Sequence, residues 1–281
     1  MKKVVILIYG ALAYIIFLFA FLYAIGFVGN IIVPKSIDTG TEATLLSSLF
    51  INVILLSVFA LQHSIMARPA FKKWFTTKFS AAMERSTYIL LSSFALILIY
   101  WQWQPITTIV WETESTIAIY MLTGIFFLGW LMVLLSTFMI NHFELFGLAQ
   151  IFDNLKNKQT PNPKFQTNYL YKIVRHPIML GFIIAFWATP SMTVGHLLFA
   201  IVTTIYILIA VKYLEEKDLR KLIGEKYETY QKEVPMIIPF TKKIVKSILV
   251  LLILTSCNLT ENRNKKTYSM KSSDSKKEVV T

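Results

Sequence analysis

Long apolar runs, separated by short charged loops, constrain this chain more than any other feature of its sequence. Most of these runs approach the length of about 20 residues that a helix needs to cross a bilayer core. They cover residues 4–28, 45–65, 87–103, 116–140, 178–189 and 194–213. Hydrophobic residues make up 55% of the 281 residues, more than a soluble domain of this length carries. The sequence therefore predicts an all-α fold, a polytopic integral-membrane helical bundle with about five to six transmembrane helices.

The fifth run is shorter than a membrane span, and Pro190 ends it. A tight turn then leads into the sixth run. The two runs together predict a helical hairpin that passes through most of the bilayer. Their lengths leave open whether the shorter arm crosses it fully.

The lysines and arginines predict how the bundle is oriented. They concentrate at the N-terminus and in the loops after the second, fourth and sixth runs, whereas loops 29–43 and 105–115 hold a single cation, Lys35. Because positive charge is retained on the cytoplasmic side, we expect a multi-pass protein of a bacterial inner membrane with the N-terminus and the segment after Tyr213 in the cytoplasm. The net charge of +12 then reflects topology and attraction to the lipid bilayer, and we expect no nucleic-acid partner.

Three tryptophans, Trp101, Trp103 and Trp111, bracket the outer end of the third run. Amphipathic rings favour the headgroup level of a bilayer, so we interpret them as an interfacial belt. The alternative is a substrate cage, in which Trp103 would be a substrate-binding residue.

The fifth run begins with Arg175, His176 and Pro177. Proline suits the first turn of a helix, and a helix that begins there directs free N–H groups and a partial positive charge toward the interface. Arg175 adds a two-pronged donor, so the sequence predicts a site for a carboxylate or a phosphate. The alternative is that Arg175 only follows the distribution of positive charge at membrane edges.

Two carboxylates, Glu215 and Glu216, follow the sixth run directly. Charges so close to hydrocarbon are costly unless they are partnered, and they often mark function. The alternative is a charged helix in which Glu216 pairs with Arg220 at i,i+4. Because the hairpin returns the glutamates to the membrane face of Arg175, we expect a ligand with a carboxylate at one end and hydroxyls or a cation at the other.

The order and spacing of these residues resemble the C-terminal motif of the integral-membrane methyltransferases, which include isoprenylcysteine carboxyl methyltransferase and the phospholipid N-methyltransferases. The family often has tyrosine two residues after the proline, whereas Met179 stands there in this chain. The resemblance implies a cytoplasmic C-terminal helical region that binds S-adenosyl-L-methionine. The residues it implies for this role are Arg175, His176, Pro177, Gly181, Glu215, Glu216, Tyr227 and Tyr230.

Polar motifs in the N-terminal half resemble the bacterial methanethiol S-methyltransferases, which are related to the nurim-like membrane proteins. The motifs lie at residues 59–74, 84–88, 101–105 and 141–150, and the resemblance extends from residue 59 to residue 239. It implies transfer of a methyl group from S-adenosyl-L-methionine to a small thiol substrate, methanethiol, to give dimethyl sulfide.

Methylation of a thiol favours a base near the substrate, because a thiol attacks as its thiolate and histidine has a suitable pKa. His63 and His142 lie at cytoplasmic helix ends, so we predict that they are catalytic together with Glu144, and that Gln62 and Trp103 bind substrate. For each histidine a structural role remains the alternative. The spacing of the histidines and carboxylates does not indicate a metal site.

Two other functions stay open at this point. A prenyl-cysteine or phospholipid acceptor would keep the same chemistry but would need an apolar opening between helices. A nurim-like membrane protein without enzymatic activity would share the N-terminal motif but would not bind the cofactor. The sequence gives no indication of the oligomeric state.

The composition changes after Phe240, so we divide the chain into a membrane methyltransferase domain, residues 1–240, and an atypical tail, residues 241–281. The tail has a basic start, a short apolar run and a cysteine, Cys257, followed by a polar segment. This order is typical of a lipoprotein leader, which belongs at an N-terminus. We interpret the tail as a fused second reading frame, and the alternative is a lipid anchor at Cys257.

Overall fold

The computed structural model describes residues 2–158 and 165–241, and within them the chain is almost entirely helical. The helices are α1 (Lys2–Gly29), α2 (Leu45–Ala67), α3 (Pro69–Lys78), α4 (Ala81–Gln102), α5 (Thr116–Ile140), α6 (His142–Leu145), α7 (Leu148–Leu155), α8 (Pro177–Trp187), α9 (Val194–Ile209), α10 (Glu216–Ile223) and α11 (Glu225–Glu233). Two short strands, β1 (Ile109–Glu112) and β2 (Ser191–Thr193), pair antiparallel. The proposed tail lies outside the described residues, apart from its first position.

In the part of the chain that the structure describes, five helical segments are long and apolar enough to cross a membrane. They are α1, α2, α4, α5 and the continuous stretch Val194–Ile223, while α8 is a shorter apolar helix. Large apolar side chains on these helices remain exposed, such as Phe19 at 69% and Leu46 at 78%, because lipid rather than protein covers that surface. The predicted all-α polytopic membrane bundle is therefore confirmed.

Helices α5 and α8 pack closely through two glycines. A Cβ atom on Gly181 would lie 2.7 Å from the carbonyl oxygen of Gly129 and 2.9 Å from Val133. In lipid, where no hydrophobic effect drives helices together, such close backbone contact is what allows them to associate. Gly181, predicted from the resemblance to bind cofactor, is thus seen at a helix contact.

The sixth apolar run does not end as a regular helix. After Ile209 the chain forms a π-helical segment, Ala210–Glu215, and then continues as α10. Such segments are rare and frequently lie at functional sites, because they change the direction in which the following side chains point. Here the change falls at Glu215 and Glu216, and apolar length and residue spacing do not predict it.

At the end of the bundle that holds β1 and β2, the structure contradicts the predicted interfacial position of Trp103. Trp103 is 1% exposed, its indole N–H donates to the carbonyl of Ile37 at 3.0 Å, and its ring packs edge-on against Phe27 and Phe199. The interfacial-belt interpretation is therefore wrong for Trp103, because the loop after α1 folds over it. Trp101, two residues earlier near the end of α4, is 70% exposed.

The close contact between α5 and α8 yields a prediction about stability. Gly181→Ala should lower the free energy of unfolding by on the order of 1–3 kcal/mol, because the added methyl meets backbone atoms that cannot rotate away. Thermal unfolding in detergent measures the effect. The matched control is Gly124→Ala on α5, where nothing lies within 4 Å of the added atom. Equal unfolding temperatures for the two variants would contradict the proposed packing.

Candidate active site

The turn that precedes α8 is held in place by the segment after α11. The backbone N–H of Arg175 donates to the carbonyl of Pro235 at 2.9 Å, and that of His176 donates to the carbonyl of Met236 at 3.1 Å. Helix α8 then begins at Pro177, as predicted. These bonds fix the turn relative to α11 and direct the side chains of Arg175 and His176 toward α10.

The guanidinium group of Arg175 is engaged on every side by the protein. Its Nε and Nη2 atoms lie 2.6 and 2.5 Å from Oε1 of Glu216, and Nη1 donates to the carbonyl of Gln231 at 3.2 Å and to that of Val234. The side chain is only 7% exposed. An external anion was expected for Arg175, and the structure instead supplies Glu216, because a buried guanidinium requires a carboxylate that is present whenever the chain is folded. Glu216 therefore does not pair with Arg220.

His176 lies between the two glutamates. Its Nε2 atom is 3.2 Å from Oε1 of Glu216, and its Nδ1 atom is 3.5 Å from Oε1 of Glu215. Burial lowers the pKa of His176, but the two carboxylates outweigh this effect and raise it to about 9. The imidazole is therefore protonated at neutral pH, and it bridges the two carboxylates as a cation.

Glu215 is the accessible member of the cluster. Its side chain is 43% exposed, whereas that of Glu216 is 6% exposed. In the described part of the chain its one ion-pair contact is His176. Glu215 can therefore accept hydrogen bonds from a ligand, while Glu216 is fully used in holding the turn.

Aromatic side chains form a wall beside the glutamates. The hydroxyl of Tyr227 donates to Glu216 at 3.5 Å, and that of Tyr230 donates to the carbonyl of Tyr171 at 2.5 Å. Phe165 packs edge-on against Tyr227 and Tyr230, with ring centroids 5.9 and 5.4 Å apart. Burial, and then the charge of Glu215, raise the pKa of the Tyr171 phenol, so this ring stays neutral.

His63 lies on the opposite wall, where α2 meets α4. The hydroxyl of Tyr88 is 2.7 Å from its Nε2 atom, and Ser92 is 3.3 Å from its Nδ1 atom. Ser64, the next residue on α2, lies 3.0 Å from the hydroxyl of Tyr206 on α9, and Arg68 after α2 pairs with Asp218 on α10. The α2 side of the predicted site is therefore joined to the helices that flank Glu215.

Gln62, predicted to bind substrate, is close to this wall. Its amide nitrogen donates to the sulfur of Met66 at 3.1 Å, and its Oε1 atom is buried and has no hydrogen-bond partner in the described residues. That oxygen can accept one bond from a ligand. Trp103, the other predicted substrate-binding residue, lies among the aromatic residues near β2.

His142 is bonded within the protein at both ring nitrogens. Tyr14 lies 2.8 Å from Nε2, and Thr137 lies 2.8 Å from Nδ1. Because the hydroxyl of Thr137 donates its proton to the carbonyl of Leu134, Nδ1–H of His142 must donate to Thr137 and Nε2 must accept from Tyr14. Burial lowers the pKa of His142, which agrees with this neutral form.

Glu144 occupies the turn beside His142. It accepts a hydrogen bond from the amide of Asn141 at 2.9 Å, and Asn141 in turn caps α6. Among the described hydrogen bonds, none joins His142 or Glu144 to His63, His176 or the paired glutamates. The hydrogen-bond partners of His142 and Glu144 are therefore Tyr14, Thr137 and Asn141 rather than members of the cluster at α8.

Sequence reasoning did not select several residues that complete the site. Arg68 forms an ion pair with Asp218 at 2.8 Å, which ties α2 to α10, and Ser64 lies 3.0 Å from the hydroxyl of Tyr206. Tyr88, within the motif at residues 84–88, is a further such residue, since it bonds to His63. Polar side chains on apolar helices were the available signal, because they usually face the interior of a bundle.

In the described part of the chain, no group of three or more His, Cys, Asp or Glu side chains could hold a metal ion.

Comparison with protein-family models identifies the family of this chain. The family model described as NnrU protein matches residues 51–257. The chain belongs to the NnrU family. The match extends from within α2 through α11, and it includes all of the residues described in this site except Tyr14.

Proteins with curated names resemble this chain over most of its length. Methanethiol S-methyltransferase 1 of Bradyrhizobium diazoefficiens is 50% identical over 242 residues, which cover 86% of this chain and 85% of the relative. Methanethiol S-methyltransferase of Mycobacterium tuberculosis is 50% identical over 240 residues, which cover 85% and 98%. Mouse nurim is 28% identical over 191 residues, 64% of this chain and 71% of nurim. No solved structure matches the chain.

The raised pKa of His176 predicts how stability depends on pH. Folding raises this pKa from 6.5 to about 9, so protonation of His176 stabilises the folded state. The stabilisation, on the order of 2–3 kcal/mol, is complete below about pH 6.5 and is lost as the pH rises through about 9. Thermal unfolding of the NnrU-family protein across this range should show the loss, and His176→Gln should remove most of this dependence. A variant with the same pH dependence as the parent would contradict the assignment.

Proposed function

We propose that this protein is an S-methyltransferase that transfers the methyl group of S-adenosyl-L-methionine to methanethiol at the cytoplasmic face of the membrane. Two lines support the proposal. Relatives with about half of their residues identical carry the name methanethiol S-methyltransferase. The cluster of Arg175, His176, Glu215 and Glu216 is the observation that carries the cofactor assignment, because it combines a rigid buried ion pair with one accessible carboxylate.

The residues around Glu215 fit the chemistry of the cofactor. An accessible carboxylate can accept hydrogen bonds from ribose hydroxyls or from an ammonium group, and an aromatic wall suits an adenine ring. In this proposal Glu215 binds the cofactor, and Tyr227 and Tyr230 line the cofactor pocket. The ion pair of Arg175 and Glu216 holds α10 against the turn that precedes α8. Three predicted positions remain: His176 bridges the two glutamates, and Pro177 and Gly181 set the start of α8 and its contact with α5.

His63 is the proposed base on the thiol side. The bound cofactor would supply an electrophilic methyl group on a sulfonium. A ring nitrogen of His63 would accept the thiol proton of methanethiol, and the resulting thiolate would take the methyl group. The methyl–sulfonium bond would break as the new bond forms and leave S-adenosylhomocysteine with the electron pair, and His63 would then release the proton to water. The free Oε1 atom of Gln62 can accept a hydrogen bond near the substrate. Positioning of the thiol relative to the methyl group supplies most of the rate enhancement, since methyl transfer requires an in-line approach.

His142 and Glu144 have a supporting place in this proposal. The ring nitrogens of His142 join α1 to α5 through Tyr14 and Thr137, and the carboxylate of Glu144 holds the turn at Asn141. They fix the helix end beside the pocket without contacting methanethiol.

The cytoplasmic placement rests on charge. The described loops and helix ends on the side of Arg175 and Glu215 hold most of the lysines and arginines, whereas loops 29–43 and 105–115 at the opposite end hold only Lys35. Positive charge is retained on the cytoplasmic side of membrane proteins, and the cofactor is made there. Domain 1–240 would contain the whole activity.

A turnover assay tests the proposed function. Purified protein supplied with methyl-labelled S-adenosyl-L-methionine and methanethiol should release labelled dimethyl sulfide, measured by headspace gas chromatography. Glu215→Gln should weaken cofactor binding about 10–100-fold, because a hydrogen bond to a charged group contributes about 1.5–3 kcal/mol. The matched control is Glu225→Gln, an exposed glutamate on α11.

The outcomes separate the possible functions. Labelled product from a prenyl-cysteine or phospholipid acceptor, with none from methanethiol, would replace the thiol as substrate. Absence of cofactor binding by a well-folded protein would overturn the proposal and favour a non-enzymatic role like that of nurim.

A further inference from the structure

The cation that sequence reasoning assigned to the cofactor carboxylate is not available for it. S-adenosyl-L-methionine carries a carboxylate and an ammonium group on one carbon of its methionine part. Arg175 gives its donors to Glu216 and to two backbone carbonyls, and Arg68 gives its donors to Asp218 and to the carbonyl of Ser64. If the proposed function is correct, the carboxylate requires other positive groups near the same pocket.

Two half-buried cations at the junction of α3 and α4 form no ion pair within 4.0 Å in the described residues. They are Lys72 and Arg85. The guanidinium of Arg85 lies over the ring of Tyr88, 6.0 Å from its centroid. Tyr88 in turn bonds to His63, so Arg85 lies next to the wall that faces Glu215.

Lys72 and Arg85 act on one another as like charges. Burial and then the charge of Arg85 lower the pKa of Lys72, while Glu84 and Asp218 offset this only in part. Two partly desolvated cations that are not paired are costly, and a bound anion between them would remove the cost.

An acceptor for the ammonium group is present at the same place. Glu84 precedes Arg85 in the first turn of α4, and one of its carboxylate oxygens is buried without a hydrogen-bond partner in the described part of the protein. Two free cations and one free acceptor match the charge pattern of an α-amino acid. The other half-buried charged groups at this junction, Arg68 and Asp218, are paired with each other at 2.8 Å.

We propose that Arg85, assisted by Lys72, binds the carboxylate of the methionine part of S-adenosyl-L-methionine, and that Glu84 accepts a hydrogen bond from its ammonium group. The cofactor then extends from the start of α4 to Glu215, past His63 and Tyr88. This proposal rests on the proposed function, which it deepens by assigning the amino-acid end of the cofactor to residues outside the C-terminal motif. Arg175 acts as a positioning residue for α10.

The test compares two ligands that differ only in the carboxylate. Calorimetry on the full-length protein in detergent, without thiol, measures the Kd of S-adenosyl-L-methionine and of its decarboxylated analogue. Wild-type protein should bind the decarboxylated ligand about 10–100-fold more weakly, as expected for the loss of a charged hydrogen bond. Arg85→Gln should weaken the binding of S-adenosyl-L-methionine to the same extent. This variant should bind the two ligands with similar Kd values.

Three further variants make the result specific. Lys72→Gln should partly reduce the discrimination between the two ligands. Arg85→Lys should retain part of the affinity that Arg85→Gln loses, because lysine keeps the positive charge but lacks the two-pronged guanidinium donor. The matched control is Lys73→Gln, an exposed neighbour of Lys72, which should discriminate as the wild type does. Thermal unfolding of each variant shows that it is folded.

Failure of this site can be told from failure of the proposed function. Full wild-type discrimination in both Arg85→Gln and Lys72→Gln would overturn the carboxylate site while leaving the cofactor assignment intact. A wild-type protein that binds neither ligand would overturn the proposed function, and the carboxylate site with it.

Discussion

The buried ion pair between Arg175 and Glu216 is the interaction on which the polar end of this molecule depends. Both side chains are withdrawn from water, and the desolvation is offset only because Glu216 lies 2.5 Å from the guanidinium and the backbone of residues 231–235 takes the remaining donors. The pair joins the start of α8 to α10 and to the chain after α11. Removing one partner would leave an uncompensated buried charge, which typically costs 3–5 kcal/mol.

Two consecutive glutamates have different environments because of this pair. Glu216 is enclosed, while Glu215 is 43% exposed and shares His176 with it. The π-helical segment that ends at Glu215 changes the helix phase at the point where the chain leaves the apolar layer. Glu216 thus provides the structural ion pair with Arg175, and Glu215 remains accessible to a ligand. On the α2 side, His63 bonds to Tyr88 of α4, and its neighbour Ser64 contacts Tyr206 of α9, so the two halves of the chain meet near the glutamates.

Much of the fold could be predicted from the sequence because the solvent is lipid. Apolar length alone locates membrane helices, and α5 was predicted with the bounds that the structure gives, Thr116–Ile140. The same reasoning placed the third span too late, since α4 begins at Ala81 and includes Glu84 and Arg85 in its first turns. It was wrong about Trp103, because an interfacial preference does not show which loop will cover a ring. The sequence also does not show which charges pair. In the structure Glu216 pairs with Arg175 and not with Arg220.

The sequence by itself determined that the chain is a helical membrane bundle, that α8 begins at Pro177, and that Arg175, His176 and the glutamates belong to one polar region. These conclusions follow from local properties, namely apolar length, helix-start residues and the cost of charge near hydrocarbon. Only the tertiary structure decided which charges are satisfied and which remain free. That outcome depends on distances of a few ångströms between helices that are far apart in the chain, and hydropathy and spacing carry no information about such distances.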